Sequence, residues 1–193
     1  MRLFVGIDIT DEIRGRFSDY MRRLEGLAPG TKWVKPESLH VTLKFIGYTE
    51  KLDDIKTALA VVKGSSFSLR FQGTGFFTQR SPRVFWVGIE AGAELAALAR
   101  YIEQVLVPVG IAPEERKYSP HLTLAREGSG RPQGAREDRN KPKMYALKQR
   151  LEQEPRLAQM DFGTMQATEF ILYQSETRPE GARYTKLARF PLP

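Results

Sequence analysis

His40-Val41-Thr42-Leu43 and His121-Leu122-Thr123-Leu124 are two copies of one tetrapeptide pattern, and they hold both histidines of this 193-residue chain. In an extended strand, successive side chains point to opposite faces. His40 and Thr42 therefore share one face, while Val41 and Leu43 share the other. The second copy reads the same way. Each copy buries an aliphatic pair and presents an imidazole and a hydroxyl on the reverse side.

Outward from the tetrapeptides, the match continues. Leu3-Phe4-Val5-Gly6-Ile7-Asp8 resembles Phe85-Trp86-Val87-Gly88-Ile89-Glu90. A helical pattern follows each. Thr10 is placed to cap the first helix, and Asp11 and Glu12 suit its positive N-terminus. Ile13, Phe17, Met21 and Leu24 form its apolar stripe; Leu95, Leu98, Ala99, Ile102, Val105 and Leu106 form that of the second. Pro29-Gly30 and Pro108-Val109-Gly110 mark the loops that follow. His40 lies 34 positions after Gly6, and His121 lies 33 after Gly88. A unit of strand, helix, loop and strand thus occurs twice at matched spacing. The repeat predicts a two-lobed body over residues 1–193, without a second domain or linker. A cleft should follow the pseudo-twofold axis, with the two polar faces meeting across it.

The other segments fill out the lobes. Leu52, Ile55, Leu59 and Val62 predict a helix, and Phe67, Leu69 and Phe71 alternate as a half-buried strand does. Phe76-Phe77 reads as a short edge or turn. Gly128–Lys143, rich in Gly, Pro, Arg and Asn, reads as a mobile surface loop. A short helix is expected over Met144–Glu152. Phe170-Ile171-Leu172-Tyr173 and Tyr184–Phe190 read as the last two strands.

The chain is 41% hydrophobic, enough for an ordinary core, and carries a formal net charge of +7. That surplus suits a polyanion such as nucleic acid, and equally suits plain solubility. Part of it lies in Arg126–Lys148. The absence of cysteine excludes disulfides, thiolate nucleophiles and cysteine-ligated zinc. No apolar run approaches the ~20 residues that span a bilayer, and the N-terminus does not read as a signal peptide. The expectation is a cytoplasmic monomer that does not associate with membranes.

Histidine is the side chain whose ordinary pKa allows it to give or take a proton near neutral pH. Breaking a phosphodiester needs both acts: a base for the attacking oxygen and an acid for the departing one. In-line displacement sets those oxygens on opposite sides of phosphorus, as two imidazoles across a cleft would be. Thr42 and Thr123 could donate to the non-bridging oxygens. A catalytic zinc usually has three protein ligands, and neither motif contains an Asp or Glu to join its histidine. The expectation is therefore acid–base catalysis by His40 and His121 with no metal and no cofactor. Among nearby residues, Lys44 has the strand parity of His40 and Thr42, so a regular strand brings it to the phosphate. Arg126 has the opposite parity to His121 and reaches the site only if the strand ends, twists or bulges near Ala125. Phe45 also has the non-catalytic parity; it is either a core aromatic or a platform for a base at the rim. Tyr118 has the same two options. Trp33 and Lys35 either line the entrance or only pack and solvate.

These motifs resemble those of the two-histidine phosphoesterase superfamily. Within it they are similar to the RNA 2′,3′-cyclic phosphodiesterases, also called 2′-5′ RNA ligases. The likeness runs from Arg2–Ile7 through Trp33–Gly47 and Tyr118–Arg126 to Leu172–Ser175 and Gly181–Leu187, and is least in Gly128–Lys143. It implies a bilobal α+β fold with antiparallel sheets flanking a central cleft. It implies hydrolysis of RNA ends bearing a 2′,3′-cyclic phosphate, tRNA-derived ends included, to a 2′-phosphomonoester. His40 would be the proton donor to the 3′ oxygen and His121 the base for water, with Thr42 and Thr123 holding phosphate. Weak 2′-5′ ligation is the implied reverse reaction. Two rivals remain at this point: a phosphodiesterase for a small cyclic nucleotide or ADP-ribose cyclic phosphate, and a non-catalytic module that binds RNA ends.

Overall fold

The computed structural model describes residues 1–27, 31–77, 82–127, 144–178 and 181–193. In chain order come β1 (Arg2–Asp8), α1 (Asp11–Glu25), β2 (Thr31–Trp33), a 3-10 turn (Pro36–Ser38), β3 (His40–Tyr48) and α2 (Leu52–Ala60). Then follow β4 (Phe67–Phe77), β5 (Val84–Ala91), α3 (Ala93–Leu106), β6 (His121–Glu127), α4 (Tyr145–Gln153) and α5 (Pro155–Ala158). The chain closes with β7 (Asp161–Ala167), β8 (Glu169–Arg178) and β9 (Gly181–Pro191). The strands make two antiparallel sheets, β3-β1-β8-β9 and β2-β6-β5-β4-β7. This is a bilobal α+β fold, and the sequence repeat is its frame: β1-α1-β3 heads one lobe and β5-α3-β6 the other.

The lobes are tied by exchange. The α1 helix begins as expected, with the Thr10 hydroxyl accepting from the Ile13 amide at 3.4 Å and two acids in the first turn. It leaves the first sheet yet packs on the second. Phe17 lies 4.6 Å from the Phe162 ring and meets Phe71 edge-on at 5.5 Å, and the Tyr20 hydroxyl donates to the Leu157 carbonyl. The α3 helix does the reverse and lies on β3. The short β2 strand, between α1 and β3 in sequence, pairs with β6 of the other sheet. One continuous core, from Leu3 to Leu192, therefore joins both lobes. With each large side chain contributing ~1.5–3 kcal/mol on full burial, the relative placement of the two sheets is set by the same packing that stabilises them.

Some local expectations are revised. Phe76-Phe77 ends the long β4 strand and is not a separate edge or turn. The β2 strand is too short to show a period. In β7 the alternation is broken by a register shift opposite Phe71-Gln72 and by Gly163 at φ 98°. Pro29-Gly30 and Gly128–Lys143 lie outside the described residues. No described helix is long and apolar enough to cross a membrane.

Candidate active site

Residues directly opposite in an antiparallel ladder share a face. Between β1 and β3, Asp8 stands opposite His40, Gly6 opposite Thr42 and Phe4 opposite Phe45. Between β5 and β6, Gly88 stands opposite His121, Trp86 opposite Thr123 and Val84 opposite Arg126. The strands β3 and β6 run against each other where the sheets meet. The backbone approach behind His40 is close. A Cβ on Gly6 would lie 2.8 Å from the Val41 carbonyl oxygen and 3.4 Å from His40 Cδ2.

Both motif strands then bulge, and this corrects the parity of three residues. The β1–β3 register skips Leu43, and the β5–β6 register skips Leu124. Each skipped residue is an extra one, so the side chains that follow it change face. Lys44 therefore does not join His40 and Thr42. It is 6% exposed on the core side, where Nζ bonds Glu103 Oε1 at 3.1 Å and donates to the Ala112 carbonyl at 2.9 Å. Phe45 takes the cleft face, 53% exposed, with its ring 6.4 Å from Phe4. Arg126 is brought to the face of His121 and Thr123, and its charge acts on both imidazoles. In the second strand the consecutive apolar pair Leu124-Ala125 is a readable signal of the bulge. In the first, charged Lys44 conceals it.

The two imidazoles are held alike. His40 Nδ1 lies 2.8 Å from the Ser38 carbonyl oxygen, and His121 Nδ1 lies 2.8 Å from the Ser119 carbonyl oxygen. A carbonyl only accepts, so each Nδ1 carries the hydrogen and each Nε2 is left to take or give a proton. Burial pushes the His40 pKa down to about 4, and the nearby Arg126 and His121 charges act the same way against the Ser38 bond and Asp8. Burial, with Arg126 again, also lowers His121.

Their surroundings differ. His40 lies 4.6 Å from Phe4, 6.0 Å from Tyr173 and edge-on to Tyr184 at 5.1 Å. His121 meets Phe77 edge-on at 4.7 Å and Trp86 at 6.5 Å. Behind His40, Asp8 binds Arg14 at 2.7 Å and also Lys186. Burial raises the Asp8 carboxyl, but these two cations hold it below the usual range. Arg14 also donates to the carbonyls of Ile9 and Pro36, which pins the turn that presents Ser38 to His40. The Tyr118 hydroxyl donates to the Thr42 carbonyl at 3.1 Å, tying the lead-in of the second motif to the first strand. It serves as a brace and is no base platform. Trp33 packs edge-on against Phe85 at 6.2 Å, whereas Lys35 is exposed beside a pocket near His40. Sequence reasoning passed over Asp8, Phe4, Tyr173, Tyr184, Phe77 and Trp86. For Phe4 and Asp8 the signal was present: both share the parity of Gly6 on the strand beside His40. Among the described residues, no three His, Cys, Asp or Glu side chains form a group able to hold a metal ion.

With this geometry in hand, comparison with known proteins gives a consistent result. The family model of the 2′-5′ RNA ligase superfamily matches residues 10–160. The chain belongs to this superfamily. The RNA 2′,3′-cyclic phosphodiesterase of Archaeoglobus fulgidus is 33% identical, over 98% of this chain and 99% of that protein. The protein of the same name from Methanothermobacter thermautotrophicus is 32% identical, over 100% and 99%. Among solved structures, TT0787 of Thermus thermophilus aligns with a TM-score of 0.77 at 26% identity, over 100% and 98% of the two chains. Escherichia coli LigT complexed with 3′-AMP aligns with a TM-score of 0.74 at 26% identity, over 99% and 97%.

Proposed function

We propose that this chain hydrolyses the terminal 2′,3′-cyclic phosphate of RNA to a 2′-phosphomonoester by metal-independent acid–base catalysis. The observation that carries the reading is the matched pair of imidazoles. Each is fixed through Nδ1 to a carbonyl two residues earlier, and each shares its face with a threonine. The curated relatives that match the chain over nearly its full length carry the corresponding activity in their names.

In this mechanism His121 Nε2 takes a proton from water as the water oxygen forms its bond to phosphorus. The bond from phosphorus to O3′ breaks, and His40 Nε2–H delivers its proton to that oxygen. Phosphate stays on O2′. The gain and loss of one proton balance between the two imidazoles, and solvent restores the starting forms. Thr42, Thr123 and the Arg126 guanidinium meet the charge on the non-bridging oxygens, where fixed donors act most strongly. Phe45 offers an exposed ring to the terminal base. Weak 2′-5′ ligation is the same path in reverse, with a ribose hydroxyl in place of water.

The test is incubation of a short RNA ending in a 2′,3′-cyclic phosphate with the protein in EDTA, with NMR of the product. A 2′-phosphate is expected. A 3′-phosphate would reverse the leaving oxygen, and turnover lost only in EDTA would remove the metal-independent route.

A further inference from the structure

A pocket of about 350 Å³ opens beside His40, lined by Lys35, Glu37 and Ser38 on one side and Arg178, Arg183 and Tyr184 on the other. It is formed between the 3-10 turn and the start of β9, and two of its residues already serve the site. Ser38 holds His40 Nδ1, and the Tyr184 ring stands against the imidazole. The space therefore begins one side chain away from the His40 imidazole.

Its charge is the second observation. Three cations line it against one carboxylate, Glu37. Arg178 is paired with Glu176 at 3.0 Å, but Lys35 and Arg183 make no ion pair among the described residues. Two unpaired cations converging on a concave space suit an anion. The cleft beside His121 is walled by Phe77 and Trp86. The cationic pocket thus lies on one flank of a chemically symmetric centre.

We infer that this pocket holds the phosphodiester on the 5′ side of the nucleotide that carries the cyclic phosphate, making Lys35 and Arg183 the first contacts with the RNA strand. The inference rests on the RNA-end reading above and deepens it. A nucleotide bound by its cyclic phosphate between the two histidines has one chain-bearing direction, through its 5′ oxygen. The pocket gives the next phosphate in that direction a place next to His40. An isolated nucleoside 2′,3′-cyclic phosphate has no group to put there.

The test compares a nucleoside 2′,3′-cyclic phosphate with the dinucleotide that adds one 5′ nucleotide, in the wild type and in the Lys35→Ala/Arg183→Ala protein. The wild type should favour the dinucleotide by about tenfold in kcat/KM, as expected for charge-assisted contacts to one phosphate. The double variant should lose that advantage and treat the mononucleotide as the wild type does. An advantage that survives, or an equal loss on both substrates, overturns the inference. If wild-type protein hydrolyses neither substrate, the RNA-end reading itself fails. A binding measurement separates the two cases without turnover. For a short RNA ending in a 2′-phosphate, losing the contact to the one phosphate in the pocket should lower the slope of log affinity against log salt by about 0.7. An unchanged slope overturns the pocket whatever the catalytic result.

Discussion

His40 and His121 sit on equivalent strands and are oriented by the same bond, yet the lobes around them have diverged. The first is backed by an acid held between two cations, Asp8 with Arg14 and Lys186, and is enclosed by Phe4, Tyr173 and Tyr184. The second has no carboxylate opposite it in the ladder; Gly88 takes that place. Its neighbours are Phe77, Trp86 and the Arg126 charge. Symmetry thus supplies two imidazoles held alike, and the departures from symmetry give them different surroundings. A carboxylate across the ladder, Asp8, favours the charged form of His40, but burial and the Arg126 charge outweigh it and leave its pKa at about 4. The Arg126 charge disfavours the charged form of His121 as well, so it acts on both imidazoles and does not by itself tell acid from base.

The largest effect to look for is loss of either imidazole. His40→Ala and His121→Ala should each lower kcat/KM by about 10²–10⁴-fold, the usual scale of one positioned acid or base, with little change in Tm. Steady-state kinetics on the cyclic phosphate RNA, with melting curves alongside, would measure both. If one variant kept near-normal turnover, the lobes would differ in kind and the paired mechanism would be lost.

The next effect concerns pH. Both imidazoles lie below their ordinary value, so the bell of kcat/KM, which reports the free protein, should peak on the acid side of the reference histidine pKa of about 6.5. Arg126 contributes to both shifts. Arg126→Met removes a positive charge, so each imidazole holds its proton to higher pH and the whole bell should move toward alkaline pH. The rate at the optimum should fall about 10–100-fold through loss of a charged donor to the phosphate. A lower rate with an unmoved bell would mean that Arg126 grips phosphate without tuning either histidine.

The repeat itself was legible because it rests on spacing and on rare residues. Two histidines in a chain of this length, each two positions before a threonine, fix which strands meet and which faces line the cleft. The swaps were not legible: α1 on the second sheet, α3 on the first and β2 beside β6 are choices of long-range packing that leave each local pattern unchanged. Nor were the ring contacts. Phe4, Tyr173 and Tyr184 come from three strands, and only the β1–β8–β9 order sets them together around His40.

The smallest expected effect on turnover tests the bulge, where strand parity gave the wrong face. Lys44→Met should leave kcat/KM within about twofold. It should lower stability on the scale of about 3–5 kcal/mol, because removing one partner of a buried pair strands the other; here Glu103 would keep only the Glu114 amide. Partial exposure of Glu103 lets water relieve some of that cost, which places the loss toward the lower end. Phe45→Ala should do the opposite. Its exposed ring contributes little to the core, so Tm should hold while KM for RNA rises by about tenfold, within the ~1–3 kcal/mol of a base–aromatic stack. The two substitutions are neighbours in sequence, and calorimetry with Michaelis kinetics on both separates them. A rise in KM from Lys44→Met together with a fall in Tm from Phe45→Ala would mean that the strand runs regularly past Thr42. The cleft face would then have to be reassigned from Thr42 onward.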